Sequence, residues 1–205
     1  AEKSLEGALR KAYELRDRIP GSWIAQQFEN PANPDCHYRT TGPEIWEQME
    51  GRIDLFVAGV GTGGTLGGVA KFLKERDPRI RVVGVDPEGS VFYDYFRSGT
   101  LVRPGPYHIE GLGDEFLIGC VDFGLMDDMV RVSDRDAFAT TRRLVHSEGL
   151  LVGGSSGAAA WAALKLAGEL GRPARVATVF PDSAGRYLST IFNDAWLRER
   201  GLKPA

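Results

Sequence analysis

Cysteine is almost missing from this chain. There are two in 205 residues, Cys36 and Cys120, far apart and with no C-x-x-C pair. That count excludes a disulfide framework and a zinc ribbon, and it fits a reducing, cytoplasmic setting. Histidine is equally sparse. His37, His108 and His146 are scattered without metal-ligand spacing, so packing or surface roles are expected and no metal site. Positive charge is not in excess either. With 25 Lys and Arg against 28 Asp and Glu, the net charge is −3, which leaves no basic footprint for nucleic acid. No apolar run approaches the ~18 residues of a membrane span. Residues 1–15 are amphipathic and charged throughout, which describes a helix and not a signal peptide.

Glycine, by contrast, is abundant, with 26 residues gathered at the junctions between apolar runs and helical segments. Leu5, Ala8, Leu9, Ala12, Leu15 and Ile19 follow helical spacing, ended by Pro20 and Gly21. Residues 22–28 read as a short strand. Residues 30–34 (Asn-Pro-Ala-Asn-Pro) read as a rigid turn and a domain crossover, dividing the chain into 1–30, part of a smaller domain, and 31–205, a large α/β domain. A helix follows from Thr41, with Pro43 in its first turn. The spacing then predicts a strand over 53–58, a helix over 66–76 and a strand over 81–85. It further predicts a strand over 129–132, a helix to Glu148 capped by Ser133 and Asp136, and a strand over 150–152. A helix through Leu170, a strand over 176–180 and a last helix ending near Arg200 complete the pattern. Residues 88–126 lack periodicity, and so long a loop is usually functional. Continuous apolar strands alternating with helices predict an α/β, doubly wound, mainly parallel sheet with helices on both faces. Trp46, Trp161 and Trp196 fall on amphipathic helices as core anchors.

The richest stretch is the loop Gly59-Val60-Gly61-Thr62-Gly63-Gly64-Thr65, set between the strand at 53–58 and the helix at 66–76. Glycines let backbone N–H groups converge, the helix dipole favours an anion, and Thr62 and Thr65 add hydroxyls. A phosphorylated ligand is expected. Gly59, Gly61 and Gly64 also match the G-x-G-x-x-G dinucleotide fingerprint, with Asp86 near the place of a ribose-binding acid. A nicotinamide-dependent oxidoreductase is therefore one reading, although Asp86 serves equally well as a cap or strand end. The second glycine-rich turn, at 153–157, is left unexplained by a dinucleotide.

Seven segments in one order carry a stronger signal. They are QQFENPANP (26–34), TTGPEIWE (40–47), GVGTGGTLGGV, GVDPEGS, IEGLGDEF, EGLLVGGSSGAA and FPDSAGRYLST. Together they resemble the cysteine synthase and cystathionine β-synthase family of pyridoxal-phosphate (PLP) enzymes of fold type II, from the first helix to the last. The resemblance implies two α/β domains with PLP between them. It implies that Gly61, Thr62, Gly63, Gly64 and Thr65 cradle the cofactor phosphate. Ser155 matches the serine that meets the pyridine nitrogen, though a serine there also suits a helix cap. A neutral hydroxyl makes the bound ring a weaker electron sink, which favours prompt loss of a β-substituent. Pro181 and Asp182 match the pair bordering the nitrogen edge, with helix capping the other reading of Asp182. Gln27 matches a glutamine near the substrate carboxylate. Glu110, Gly111 and Gly113 match a loop that closes over the site, or form a plain tight turn.

The implied activity is β-replacement on serine or O-acetylserine by a thiol nucleophile, sulfide or homocysteine, in a cytoplasmic homodimer with a small amino-acid substrate. The family's Schiff-base lysine, in a Ser-x-Lys setting, has no counterpart among Lys3, Lys11, Lys71, Lys74, Lys165 and Lys203. The chain thus reads as the C-terminal portion of such an enzyme, inactive alone and exposing an apolar face. A non-catalytic PLP- or partner-binding remnant is the alternative.

Overall fold

A computed structural model describes residues 5–202. The elements run α1 (Leu5–Arg18), α2 (Ala32–Arg39), α3 (Thr41–Gln48), β1 (Leu55–Gly59), α4 (Gly64–Arg76), β2 (Arg81–Pro87) and α5 (Phe92–Ser98). They continue as β3 (Asp128–Val132), α6 (Asp134–Glu148), α7 (Gly154–Glu169), β4 (Val176–Thr178) and α8 (Asp194–Glu199). The strands form one parallel sheet in the order β3-β2-β1-β4.

The side-chain period of two explains the layering. Along β1, Phe56 and Ala58 pack into one apolar cluster with Leu66, Val69 and Leu73 of α4. Leu55 and Val57 pack into another with Ala158, Ala162 and Leu166 of α7. A strand buried on both faces has no polar side, which is why it reads as an unbroken apolar run. The expected α/β sheet covered by helices on both faces is therefore present. Chain order also fixes where a ligand belongs. The path runs β1, β2, β3 outward, then returns to place β4 on the far side of β1. Strand order reverses beside β1, so a crevice opens past the carboxyl ends of β1 and β4.

Several local expectations are corrected. Residues 22–28 form no strand; they are irregular, with Gln26 in the left-handed region at φ 49°. The Asn-Pro-Ala-Asn-Pro stretch is not only a turn but the start of α2. Pro31 sits at its N-cap with φ −62°, and Pro34 lies in the first turn, where a missing N–H costs no hydrogen bond. α5 lies inside the segment that shows no periodicity, ended by Gly99 at φ 69°. Residues 150–152 give only one antiparallel bridge, Val152 to Ser183. The single last helix is two pieces: a 3-10 turn at Ala184–Tyr187, then α8, which Asn193 starts by accepting from the N–H groups of Ala195 and Trp196. Trp46, Trp161 and Trp196 are half-buried at the margins of the two clusters. On α1 no side chain is buried, and Ile19 and Trp23 beyond it are 52% and 79% exposed.

The start of α6 matches its sequence signal. Ser133 Oγ accepts from the Asp136 N–H at 3.1 Å and donates to Asp136 Oδ2 at 2.7 Å. Ser133→Ala is expected to cost about 1 kcal/mol in chemical denaturation, and Ser133→Thr, which keeps the hydroxyl, to cost less than half of that. Equal losses in the two variants would show that the cap contributes nothing.

Candidate cofactor site

The crevice at the strand ends holds a cavity of about 290 Å³. Its floor is the loop after β1. The N–H groups of Gly61, Thr62 and Gly63 make no hydrogen bond to the described residues, and that of Thr65, in the first turn of α4, has no partner either. Four converging donors at a helix N-terminus form an anion cradle. Two glycines make this geometry possible. Gly63 caps α4 at φ 85°, in the left-handed region where a side chain is strained. Gly64 lies against the Asn33 amide so closely that a Cβ would overlap it.

The two loop hydroxyls are held from behind. Thr62 Oγ1 accepts from Asn33 Nδ2 at 3.0 Å and from the Gly64 N–H at 3.4 Å. Thr65 Oγ1 lies 3.2 Å from His37 Nε2, and His37 Nδ1 lies 2.9 Å from Thr41 Oγ1. Burial pushes the His37 imidazole below its ordinary value, so it is neutral at pH 7. Asn33 Nδ2 also donates to the Gln27 carbonyl at 2.8 Å. Asn33 and His37 escaped the sequence reading, which placed one in a turn and gave the other a packing or surface role. The available signal was their i, i+4 spacing, visible only once 32–39 is known to be helical.

The opposite wall comes from α7 and the end of β4. Ser155 lies in the first turn of α7, is 5% exposed and lines the cavity. Its hydroxyl makes no hydrogen bond to the described residues. The N-cap of α7 is Gly153, with no side-chain cap, so Ser155 is not the cap residue. Pro181 also lines the cavity, but Asp182 does not. Asp182 Oδ2 accepts from the Tyr187 hydroxyl at 2.6 Å, and burial, followed by this bond, pushes that phenol far up; the buried Oδ1 of Asp182 is unpartnered. The 3-10 turn that follows is N-capped by Ser183, so Asp182 is not a helix cap.

Gln27, Gly111 and Leu112 close the third side. The segment carrying them is pinned directly on the anion loop: the Gly113 N–H donates to the Val60 carbonyl at 2.8 Å. Asp134 fixes its start by accepting from the N–H groups of His108 and Ile109. Glu110 and Gly113 miss the first cavity and line an adjoining one of about 410 Å³, shared with Gln27, Thr62 and Gly111. The structure therefore brings Gln27, Gly61, Thr62, Gly63, Gly64, Thr65, Gly111, Ser155 and Pro181 to one cavity, and Glu110 and Gly113 to its neighbour.

Asp86 turns away from this site. It is fully buried at the end of β2, where Oδ2 accepts from the Tyr93 N–H at 2.9 Å in the first turn of α5. It lines neither cavity, which removes the acid that a dinucleotide reading requires. Cys36 is exposed, and Cys120 is buried with its thiol pushed up by burial. Among the described residues no cluster of His, Cys, Asp and Glu has the makings of a metal site. No described helix is long and apolar enough to cross a membrane. None of the described lysines lines the cavity: Lys11 pairs with Glu14, Lys74 with Asp127, and Lys71 and Lys165 lie over Tyr38 and Trp161. Lys3 and Lys203 lie outside the described residues.

A cradle of free N–H groups, two hydroxyls and, across a narrow cavity, one unengaged serine hydroxyl fits a phosphorylated heteroaromatic such as PLP. Relatedness points the same way. The chain is 46% identical over 187 residues to a cysteine synthase of Helicobacter pylori (strain ATCC 700392 / 26695), covering 91% of this chain and 59% of that protein. It is 46% identical over 189 residues to a cysteine synthase of Staphylococcus aureus (strain Mu50), covering 92% and 59%. It is 40% identical over 199 residues to the cystathionine beta-synthase of Apis mellifera, covering 97% and 39%. Among solved structures, the O-acetylserine dependent cystathionine beta-synthase of Helicobacter pylori superposes with a TM-score of 0.82 at 46% identity, covering 92% of this chain and 59% of that one. The chain thus spans about three fifths of the length of the bacterial relatives it matches. The family model described as pyridoxal-phosphate dependent enzyme matches residues 1–182. With the anion cradle and the fold in agreement with that match, the chain belongs to the pyridoxal-phosphate dependent enzyme family.

Proposed function

We propose that this chain is the phosphate- and ring-binding portion of a PLP enzyme that replaces the β-substituent of serine or O-acetylserine with a thiol nucleophile, as in cysteine or cystathionine synthesis. The observation that carries this reading is the meeting of the Gly61–Thr65 donors and the Ser155 hydroxyl in one cavity. Bound PLP supplies an electron sink for bond breaking at the α- and β-carbons of an amino acid. The chain's own residues bind and orient. The Gly61, Thr62, Gly63 and Thr65 N–H groups and the two threonine hydroxyls hold the phosphate dianion. The uncharged Ser155 hydroxyl, which lines the cavity opposite the cradle, would face the ring nitrogen and would not hold it protonated as a carboxylate would. Gln27, Gly111 and the adjoining Glu110 and Gly113 line the substrate side, and closure of their loop excludes water. Pro181 would border the nitrogen edge, with Asp182 next to it in sequence and tied to Tyr187.

No described lysine reaches the cavity, so the residue that bonds the cofactor covalently is assigned outside the described residues. Residues 1–30 belong in this reading to a smaller domain and 31–205 to the large one. The QFENPANP and TTGPEIWE segments favour sulfide over homocysteine as acceptor. A homodimer and a cytoplasmic location complete the proposal, the latter supported by two unpaired cysteines.

Parallel equilibrium titrations with PLP and with NAD, read by absorbance and by competition with inorganic phosphate, test the reading. Saturable one-to-one PLP binding that phosphate displaces is expected, with no saturable binding of NAD. Binding of NAD in preference to PLP would restore the dinucleotide reading and remove this one.

A further inference from the structure

The anion loop is backed by one face of one short helix. Asn33 and His37 stand one turn apart on α2, and each reaches one of the two loop hydroxyls, Thr62 and Thr65. We propose that α2 sets the direction of both hydroxyls: Asn33 and His37 occupy their acceptor side, so that both O–H protons point into the cradle as donors to a phosphate dianion. The proposal rests on the PLP reading of the cavity and adds two positioning residues to it.

The argument is one of donor and acceptor counts. A threonine hydroxyl has one proton and two lone pairs. Facing a dianion it is useful only as a donor; with a lone pair turned toward phosphate it repels. At Thr62 the lone pairs are filled by the Asn33 Nδ2–H at 3.0 Å and, more weakly, by the Gly64 N–H at 3.4 Å. The proton is left for the cavity. Asn33 is itself fully committed on the donor side, since Nδ2 also serves the Gln27 carbonyl at 2.8 Å. One amide therefore ties the phosphate loop to the residue on the substrate side.

At Thr65 the same logic passes through His37. A neutral imidazole offers one N–H and one bare nitrogen. It lies between two hydroxyls, Thr41 at Nδ1 and Thr65 at Nε2. With the proton on Nε2, His37 donates to Thr65, Thr41 donates to Nδ1, and the Thr65 proton is free for the anion. With the proton on Nδ1, Thr65 must donate to His37 and shows the anion only lone pairs. Phosphate binding therefore selects the Nε2–H tautomer. Neither residue touches the cofactor, so both act through the threonines.

Affinities for PLP and for pyridoxal, which lacks the phosphate, separate this proposal from the reading beneath it. The wild-type chain is expected to bind PLP far more tightly than pyridoxal. Asn33→Asp and His37→Phe are each expected to weaken PLP binding about tenfold, the worth of a hydrogen bond to a charged group, and to leave pyridoxal affinity within about twofold. In a Thr65→Val background, His37→Phe should have no further effect. Nitrogen NMR of the three histidines needs no variant: titration with inorganic phosphate should drive His37 to the Nε2–H form. If wild type does not prefer PLP to pyridoxal, the cofactor reading falls and this proposal with it. If wild type does prefer PLP but the variants lose both ligands equally or neither, or if His37 keeps its proton on Nδ1 in phosphate, the orienting role is overturned while the cofactor reading stands.

Discussion

Gly64→Ala should weaken PLP binding about ten- to thirtyfold and lower thermal stability at the same time. The added Cβ would fall on the Asn33 side-chain amide, which cannot stay where it is. Overpacking of this kind costs about 1–3 kcal/mol. Displacing Asn33 also breaks its bonds to Thr62 and to the Gln27 carbonyl, each worth about 1 kcal/mol. The clash is read as lost stability, and the two broken bonds, about 2 kcal/mol together, correspond to a loss of affinity of up to about thirtyfold. The clash and the lost bonds are separable. All the overlapped atoms lie beyond the Asn33 Cβ, so Asn33→Ala added to Gly64→Ala removes the clash. The double variant should regain thermal stability yet bind PLP no better than Asn33→Ala alone. Recovery of affinity together with stability would mean that Asn33 matters only through packing.

That pairing of Gly64 with Asn33 also marks the limit of what the sequence discloses. The anion loop is legible because its requirements are local: an apolar run, glycines, hydroxyls and a helix start, contiguous from Val57 to the end of α4. The parallel sheet is legible because strands buried on both faces cannot hide their composition. Asn33 and His37 are not legible, because their roles exist only between α2 and the anion loop with the first turn of α4, joined by contacts far apart in sequence. Two prolines also masked α2. They read as turn residues, yet both fall among positions that need no amide donor. The shape of the last segment was lost for a similar reason. The stretch reads as one helix to Arg200, but the Asn193 side chain caps α8 and so separates that helix from the turn before it. Ser155 lies between these cases. A serine after two glycines signals a helix start, and only the chain path shows that Gly153 occupies the cap and leaves the hydroxyl to the cavity.

Asp86 is expected to give the fold a pH dependence opposite to that of most carboxylates. Burial pushes its carboxyl up to about 6 from an ordinary 3.8, against the pull of Ser90, the Tyr93 N–H and Arg131, with Asp94 adding to the rise. Its Oδ1 is buried with no hydrogen-bond partner, so the pull of those groups does not offset burial. Because the folded state holds this proton more tightly than the unfolded state does, ionisation favours unfolding. Below the unfolded value both states are neutral and the group contributes nothing. As pH rises from about 4 to about 6, stability falls by about 1.4 kcal/mol per unit, and above that the loss levels off at roughly 3 kcal/mol. Asp86→Asn keeps an oxygen for the Tyr93 N–H and carries no charge. Urea unfolding of both chains between about pH 4 and about pH 7 gives the difference directly. The variant should gain on wild type steadily as pH rises, with the gap ceasing to grow near neutrality. A constant gap would mean that Asp86 does not titrate in this window, and a gap that shrinks as pH rises would mean that the folded state favours the ionised carboxylate after all. Asp86 lines neither cavity, so the same variant should leave PLP affinity unchanged at pH 7, and a stability gain without an affinity gain is the expected pair of results.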